Sequence, residues 1–109
     1  MRIQGYSYSD CISMIGSKES KRLSPNTVIE KSVGVVVVRL FNNPIVVMYG
    51  DTIAIDHCGK MTKTTKMRIN QFLRANLPKY SLFAKKGTWY LHNRKDDTTV
   101  VFDGYASLK

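Results

Sequence analysis

A chain of 109 residues with 17 Lys and Arg against 8 Asp and Glu carries a formal charge of +9. That length holds one domain around one modest core, and 43% hydrophobic residues are too many for a disordered chain. No apolar run approaches the roughly 18 residues that span a bilayer, and the start, MRIQGYSYSD, lacks the basic-then-apolar layout of a signal peptide. Two cysteines are too few for a secreted disulfide scaffold. The expectation is a cytoplasmic protein with free thiols, no membrane contact and an anionic partner.

The first stretch, SYSDCISMIGSKESKR, reads as a short helix. Ser7 or Ser9 caps it, Asp10 suits the positive end of the dipole, and Gly16 is a natural stop. Cys11, Ile12 and Ile15 fall on one face. A polar, basic link over 17–22 leads to the turn signal Ser24-Pro25-Asn26. Strands follow at 27–31, 35–41, 45–49 and 52–56, separated by Asn42-Asn43-Pro44 and Gly50-Asp51. The links are too short for parallel crossovers, so the strands form an antiparallel meander. The run at 35–41, VVVVRLF, is the most apolar and is either a central strand or an edge that pairs with a second chain. Oligomeric state stays open.

Past Gly59, Thr62 or Thr64 caps a helix over about 64–77, which Pro78 ends. Ile69, Phe72, Leu73 and Leu77 form its apolar stripe, with Arg68, Gln71 and Arg74 facing away. Strands at 80–85, 88–92 and 99–102 close the chain, joined by Lys86-Gly87 and Lys95-Asp96-Asp97. The expected fold is α+β: one domain over 1–109, mainly an antiparallel sheet with one main helix packed on a face and a short N-terminal helix. The N-terminal helix and basic link occupy 1–26, and the α+β core occupies 27–105.

Charge is unevenly placed. Between Asp56 and Asp96 lie ten basic residues and no acidic one. Such asymmetry marks nucleic-acid-binding surfaces. Its sharpest point is KMTKTTK, residues 60–66, at the start of the main helix. Free N–H groups and the dipole already make that end positive, so lysine is locally unfavourable there and an anion is welcome. The candidate contact residues are Lys60, Lys63, Thr64, Thr65, Lys66, Arg68 and Arg74, with Lys85 and Lys86 from the later strands extending the track. Caps and buried polar links use the same residue types, so Arg68 pairing with Asp56 or Asp51, and Asn70 bonding a neighbouring strand or loop, are the architectural alternatives. Tyr80, Phe83, Trp89 and Tyr90 lie among the later lysines, and alternation lets at most half of these rings face outward.

Nothing points to catalysis or to a cofactor. Cys11, His57, Cys58 and His92 lack metal-ligand spacing, and neither histidine has an identifiable acid–base partner. No Walker loop, nucleophile elbow or zincin helix occurs.

The segments RLSPNTVIEK, VVVVRLFNNPIVVMYGDTIAIDHCGKMTKTTKMRINQFL, GTWYL and FDGY, in that order, give the chain a family likeness over residues 12–105. It resembles a family of small uncharacterised phage-encoded proteins, most closely in G-x-x-T-x-T-T-K-x-R-I-N at 59–70. The chain departs from that family at Cys58-Gly59-Lys60, where a glycine pair and an aromatic are usual, and at Asn43-Pro44, where a threonine is usual. The resemblance implies a phage source, hence the cytoplasm of a host cell, and names no activity. Two readings follow. The first is a non-enzymatic nucleic-acid-binding protein that prefers single strands or RNA, because no helix pair of helix-turn-helix type is evident. The second is an interaction module that blocks or redirects a host or phage protein.

Overall fold

The computed structural model describes residues 4–109. Ser7 opens the first helix, α1 (Tyr8–Ile15), by accepting the Asp10 N–H on its side chain, and Gly16 at φ +63° ends it. α1 buries Cys11 and Ile15. Lys31 Nζ donates to the Gly16 carbonyl, which puts a cation at the negative end of the helix.

Five strands then run as an antiparallel meander: β1 (Ser20–Ser24), β2 (Thr27–Ser32), β3 (Val35–Leu40), β4 (Asn43–Met48) and β5 (Ile53–Asp56). β3 is interior, between β2 and β4. Val36, Val38 and Leu40 are buried on one of its faces, and Val35, Val37 and Arg39 are half-covered on the other. The residues read as a basic link are partly a strand. β1 supplies the sheet's first edge, because Ser20 to Ser24 find backbone partners on β2 despite their polar side chains. The turn into β4 is also one step earlier than expected. Phe41 and Asn42 take positive φ (48° and 69°), the two-residue hairpin geometry. Pro44 sits within β4, at the register shift opposite Arg39, where a missing N–H is tolerated.

The expectation of a single sheet is corrected. After the second helix, α2 (Lys63–Asn76), the chain builds a separate three-stranded antiparallel sheet from β6 (Tyr80–Lys85), β7 (Thr88–Asn93) and β8 (Thr98–Val101). It then returns as β9 (Tyr105–Leu108) to pair with β5 and complete a six-stranded sheet. Two facts keep the sheets apart. β9 occupies the edge of β5, and the outer edge of β6 is taken by α2. The Asn70 side chain accepts the Leu82 N–H at 2.7 Å and donates to the Leu82 carbonyl at 2.9 Å, doing for β6 what a neighbouring strand would do.

Residues outside 27–105 belong to the core as well. Cys11, Ile15 and Leu108 are buried in the same cluster as Ile69, Phe72 and Leu73 of α2. Burial of those three α2 side chains is worth about 5–9 kcal/mol gross. The N-terminal segment lies along α2: Asn76 accepts the Tyr8 N–H at 2.9 Å and donates to the Tyr6 carbonyl at 3.0 Å.

Candidate nucleic-acid interface

One end of the six-stranded sheet gathers the β1–β2 turn, the β3–β4 turn and the start of α2. Of the two candidate caps, Thr62 is the one used. Its hydroxyl accepts the Thr65 N–H at 3.1 Å and lies 3.0 Å from the Thr65 hydroxyl. The first turn of α2 holds no acidic side chain. Lys60 and Lys63 are exposed there, and Thr64 and Lys66 are half-exposed. Among the described residues the ion pairs are Arg39–Glu30, His92–Asp97 and Lys109–Asp51, so none of these lysines has a carboxylate within pairing distance.

Thr65 and Arg68 are not on that surface. They retain 2% and 5% of their accessible area. The buried face of α2 is Thr65, Arg68, Ile69, Phe72 and Leu73, a regular i, i+3, i+4, i+7, i+8 stripe. Its N-terminal part is polar, which hides it from an apolar pattern. Arg68 does not pair with Asp51 or Asp56. It donates through Nη1 to Gln71 Oε1 at 2.7 Å and through Nη2 to Asn26 Oδ1 at 3.5 Å, while Nε is buried without a partner. Burial pulls its pKa below the ordinary arginine value, but a guanidinium stays charged at neutral pH. Asn26 is the receiving group at this end of the sheet. Its Oδ1 also accepts from the Ser24 and Thr27 hydroxyls, both at 2.8 Å.

Phe41 is a residue of this candidate surface that sequence reasoning missed, because the residue pattern makes it the end of a strand. It occupies a left-handed backbone position that favours Asn or Gly and leaves its side chain 68% exposed. The only sequence signal was its place before Asn42-Asn43. Phe41 separates two clefts. One, of about 300 Å³, runs along Leu40, Asn43 and Ile45 to Lys60, Thr62 and Thr64. The other, of about 410 Å³, is lined by Arg22, Asn26, Glu30, Arg39 and Asn42.

The remaining candidates lie elsewhere. Arg74 is exposed at the far end of α2, and Lys85 and Lys86 are exposed at the β6–β7 turn. The rings divide by alternation. Trp89 is buried, stacked on Phe102 with centroids 6.2 Å apart, and the edge of His57 meets both. Phe83 and Tyr90 face the other way and stack on each other at 5.3 Å. His57 Nδ1 accepts the Gly59 N–H at 2.9 Å, so its ring is a structural acceptor in the loop before α2.

The thiols are quiet. Burial, helped by Asp10, pushes the Cys11 pKa up to about 12. Burial and then the charge of Asp56 raise that of Cys58. Among the described residues no three of His, Cys, Asp and Glu cluster as metal ligands, and no helix is long and apolar enough to cross a membrane.

No curated protein and no solved structure matches the chain. The family model described as Kyanoviridae Gp96 protein matches residues 8–107, from the first residue of α1 into β9. The chain therefore belongs to the Kyanoviridae Gp96 protein family and is a phage protein.

Proposed function

We propose that this phage protein binds nucleic acid, single-stranded or RNA in preference to duplex, at the start of α2, and performs no chemical step of its own. The observation that carries the reading is the first turn of α2 with Lys60, Lys63 and Lys66 around it and, among the described residues, no carboxylate within pairing distance of them. Lysine at a helix N-terminus opposes the dipole, and a phosphate placed there relieves the conflict. The adjoining cleft and the exposed ring of Phe41 offer a flat apolar surface beside the cations. Unpaired bases present such faces, whereas duplex DNA hides them. Thr65 and Arg68 hold the helix in place instead of touching the ligand.

Fluorescence anisotropy with labelled single strands and duplexes over a salt series tests this. Three lysine–phosphate contacts give a slope of log K against log salt of about −2 for a single strand. Absence of binding to any DNA or RNA at low salt would overturn the reading. If one specific protein stays bound in a nuclease-treated host lysate under those conditions, the chain is an interaction module instead.

A further inference from the structure

The second sheet has one face in the core and one open. Leu82, Trp89 and Leu91 point inward and are buried. On the open face, strand register places Phe83 opposite Tyr90 and Tyr90 opposite Val101, one apolar row across all three strands. Phe83 is 41% exposed and Val101 61% exposed. The Phe83 and Tyr90 rings lie 5.3 Å apart with 21° between their planes, an offset stack already formed. By alternation the same face carries Lys85 and Thr88 toward the hairpin tip, and Ser81, His92 and Thr99 at the other end. The His92 and Thr99 side chains are joined at 2.9 Å.

Apolar rows of this kind also suit a protein partner, so charge has to decide the occupant. Residues 79–95 hold Lys79, Lys85, Lys86, Arg94 and Lys95 and no Asp or Glu. Asp96 and Asp97 follow in the β7–β8 turn, where Asp96 accepts from the Asn93 side chain at 3.3 Å and the Asp97 carboxylate approaches His92 Nε2 at 3.8 Å. A partner that covers the rings thus brings these cations close, and it must supply anions at short, regular intervals. An unpaired polynucleotide does both, with π-faces for the rings and a phosphate between successive bases.

We propose that the open face of β6–β7–β8 is a base-stacking platform: unpaired bases extend the Phe83–Tyr90 stack while the flanking phosphates lie against Lys85 and Lys86. This rests on the nucleic-acid reading above, adds a second surface to it, and makes an unpaired strand the ligand of that surface.

The test uses the full chain, a fluorescein-labelled oligouridine of about twelve residues and the matching duplex. Phe83→Leu and Tyr90→Leu keep an apolar, β-compatible side chain and remove the ring. Each is expected to weaken oligouridine binding at least about fivefold, the low end for removing the stack under one base. The salt slope and the duplex affinity are expected to stay unchanged. Lys85→Gln with Lys86→Gln is expected to make the slope shallower, by about 0.7 for each phosphate that is no longer neutralised. Photocrosslinking of wild-type protein to 5-iodouridine-substituted oligomer needs no variant and is expected to mark the β6 and β7 peptides. Wild-type binding that is indifferent to both leucine variants, with crosslinks confined to α2, overturns the platform and leaves the nucleic-acid reading standing. Failure of the wild type to bind any oligomer at low salt overturns both.

Discussion

Lys63→Glu changes the first residue of α2, directly after the Thr62 cap. A cation at this place opposes the helix dipole by about 0.3–1 kcal/mol, and an anion gains a similar amount. The exchange is therefore worth about 0.6–2 kcal/mol in favour of the folded chain at low ionic strength. For a domain of this size that raises Tm by about 2–8 °C. Lys63 is exposed, so most of the gain is expected to vanish at about 300 mM salt, where screening acts within a few ångströms. On the proposed function the same substitution removes one phosphate contact and installs a repulsive charge, so affinity for a single strand is expected to fall at least tenfold. Lys21→Glu, on the exposed β1 edge, makes the same change in net charge and controls for relief of general self-repulsion. Thermal unfolding at both salt concentrations, paired with anisotropy, reads the two effects. A Tm that falls, or that rises no more than in Lys21→Glu, would refute the dipole argument. A raised Tm with unchanged binding would refute the placing of the ligand at this helix end.

Asn70→Ala removes both bonds to the Leu82 backbone at the β6 edge and is expected to cost about 2–4 kcal/mol in urea unfolding, as two partly buried polar groups lose their partner. Asn70→Asp keeps an acceptor for the Leu82 N–H but sets a carboxylate oxygen against the Leu82 carbonyl, so it should not rescue the loss at neutral pH; stability equal to wild type would argue against this edge pairing. At Gly5 an added Cβ would stand 1.9 Å from the Gln71 carbonyl oxygen, so Gly5→Ala should cost about 1–3 kcal/mol and expose the N-terminal segment to proteases. Protection equal to wild type would contradict the close approach. The Cys11 thiol, pushed from 9.0 to about 12, links stability to alkaline pH. Below the unfolded value both states keep the proton, so the contribution is intact. Above it the unfolded chain alone releases the proton, and stability falls by up to about 4 kcal/mol as pH rises to 12. Cys11→Ala lacks this loss, so the gap between wild type and variant must change over that pH range; a constant gap refutes the assignment.

The elements that could be read from the sequence were those whose signals are local. Ser7 and Gly16 bracket α1, Lys86-Gly87 makes the β6–β7 turn, and the β3 valines alternate between buried and half-covered. β1 and β9 escaped because their residues are polar or few, and they are strands only because β2 and β5 offer them backbone partners. The second sheet escaped for a related reason: Asn70 and β9 close edges that residue pattern alone leaves open. Among site residues, Lys60, Lys63 and Lys66 could be placed at the helix start from cap rules. Arg68 could not, because helical spacing makes it a neighbour of both the apolar stripe and the polar face, and only Asn26, 42 positions earlier, draws it inward. Phe41 was hidden by a turn that begins one residue sooner than Asn42-Asn43-Pro44 suggests.

What ties the distant parts of the chain together bears on how binding can be measured. With 17 basic and 8 acidic residues, cations outnumber acidic side chains by nine, and among the described residues Arg39 and Lys109 are the only Lys or Arg side chains that pair with a carboxylate. Among the described residues the side-chain hydrogen bonds of longest range run through amides, Asn26 to Arg68 and Asn76 to Tyr6 and Tyr8, and Asn70 fastens β6 to α2. Bonds from a neutral amide are weakly sensitive to ionic strength, whereas lysine–phosphate contacts weaken steeply with it. Salt should therefore act on the ligand far more than on the fold. Neutral glue also explains how the fold tolerates an acid-free stretch of ten cations: cohesion there does not depend on neutralising them, so the lysines at the start of α2 and at the β6–β7 turn remain free for an anion from outside.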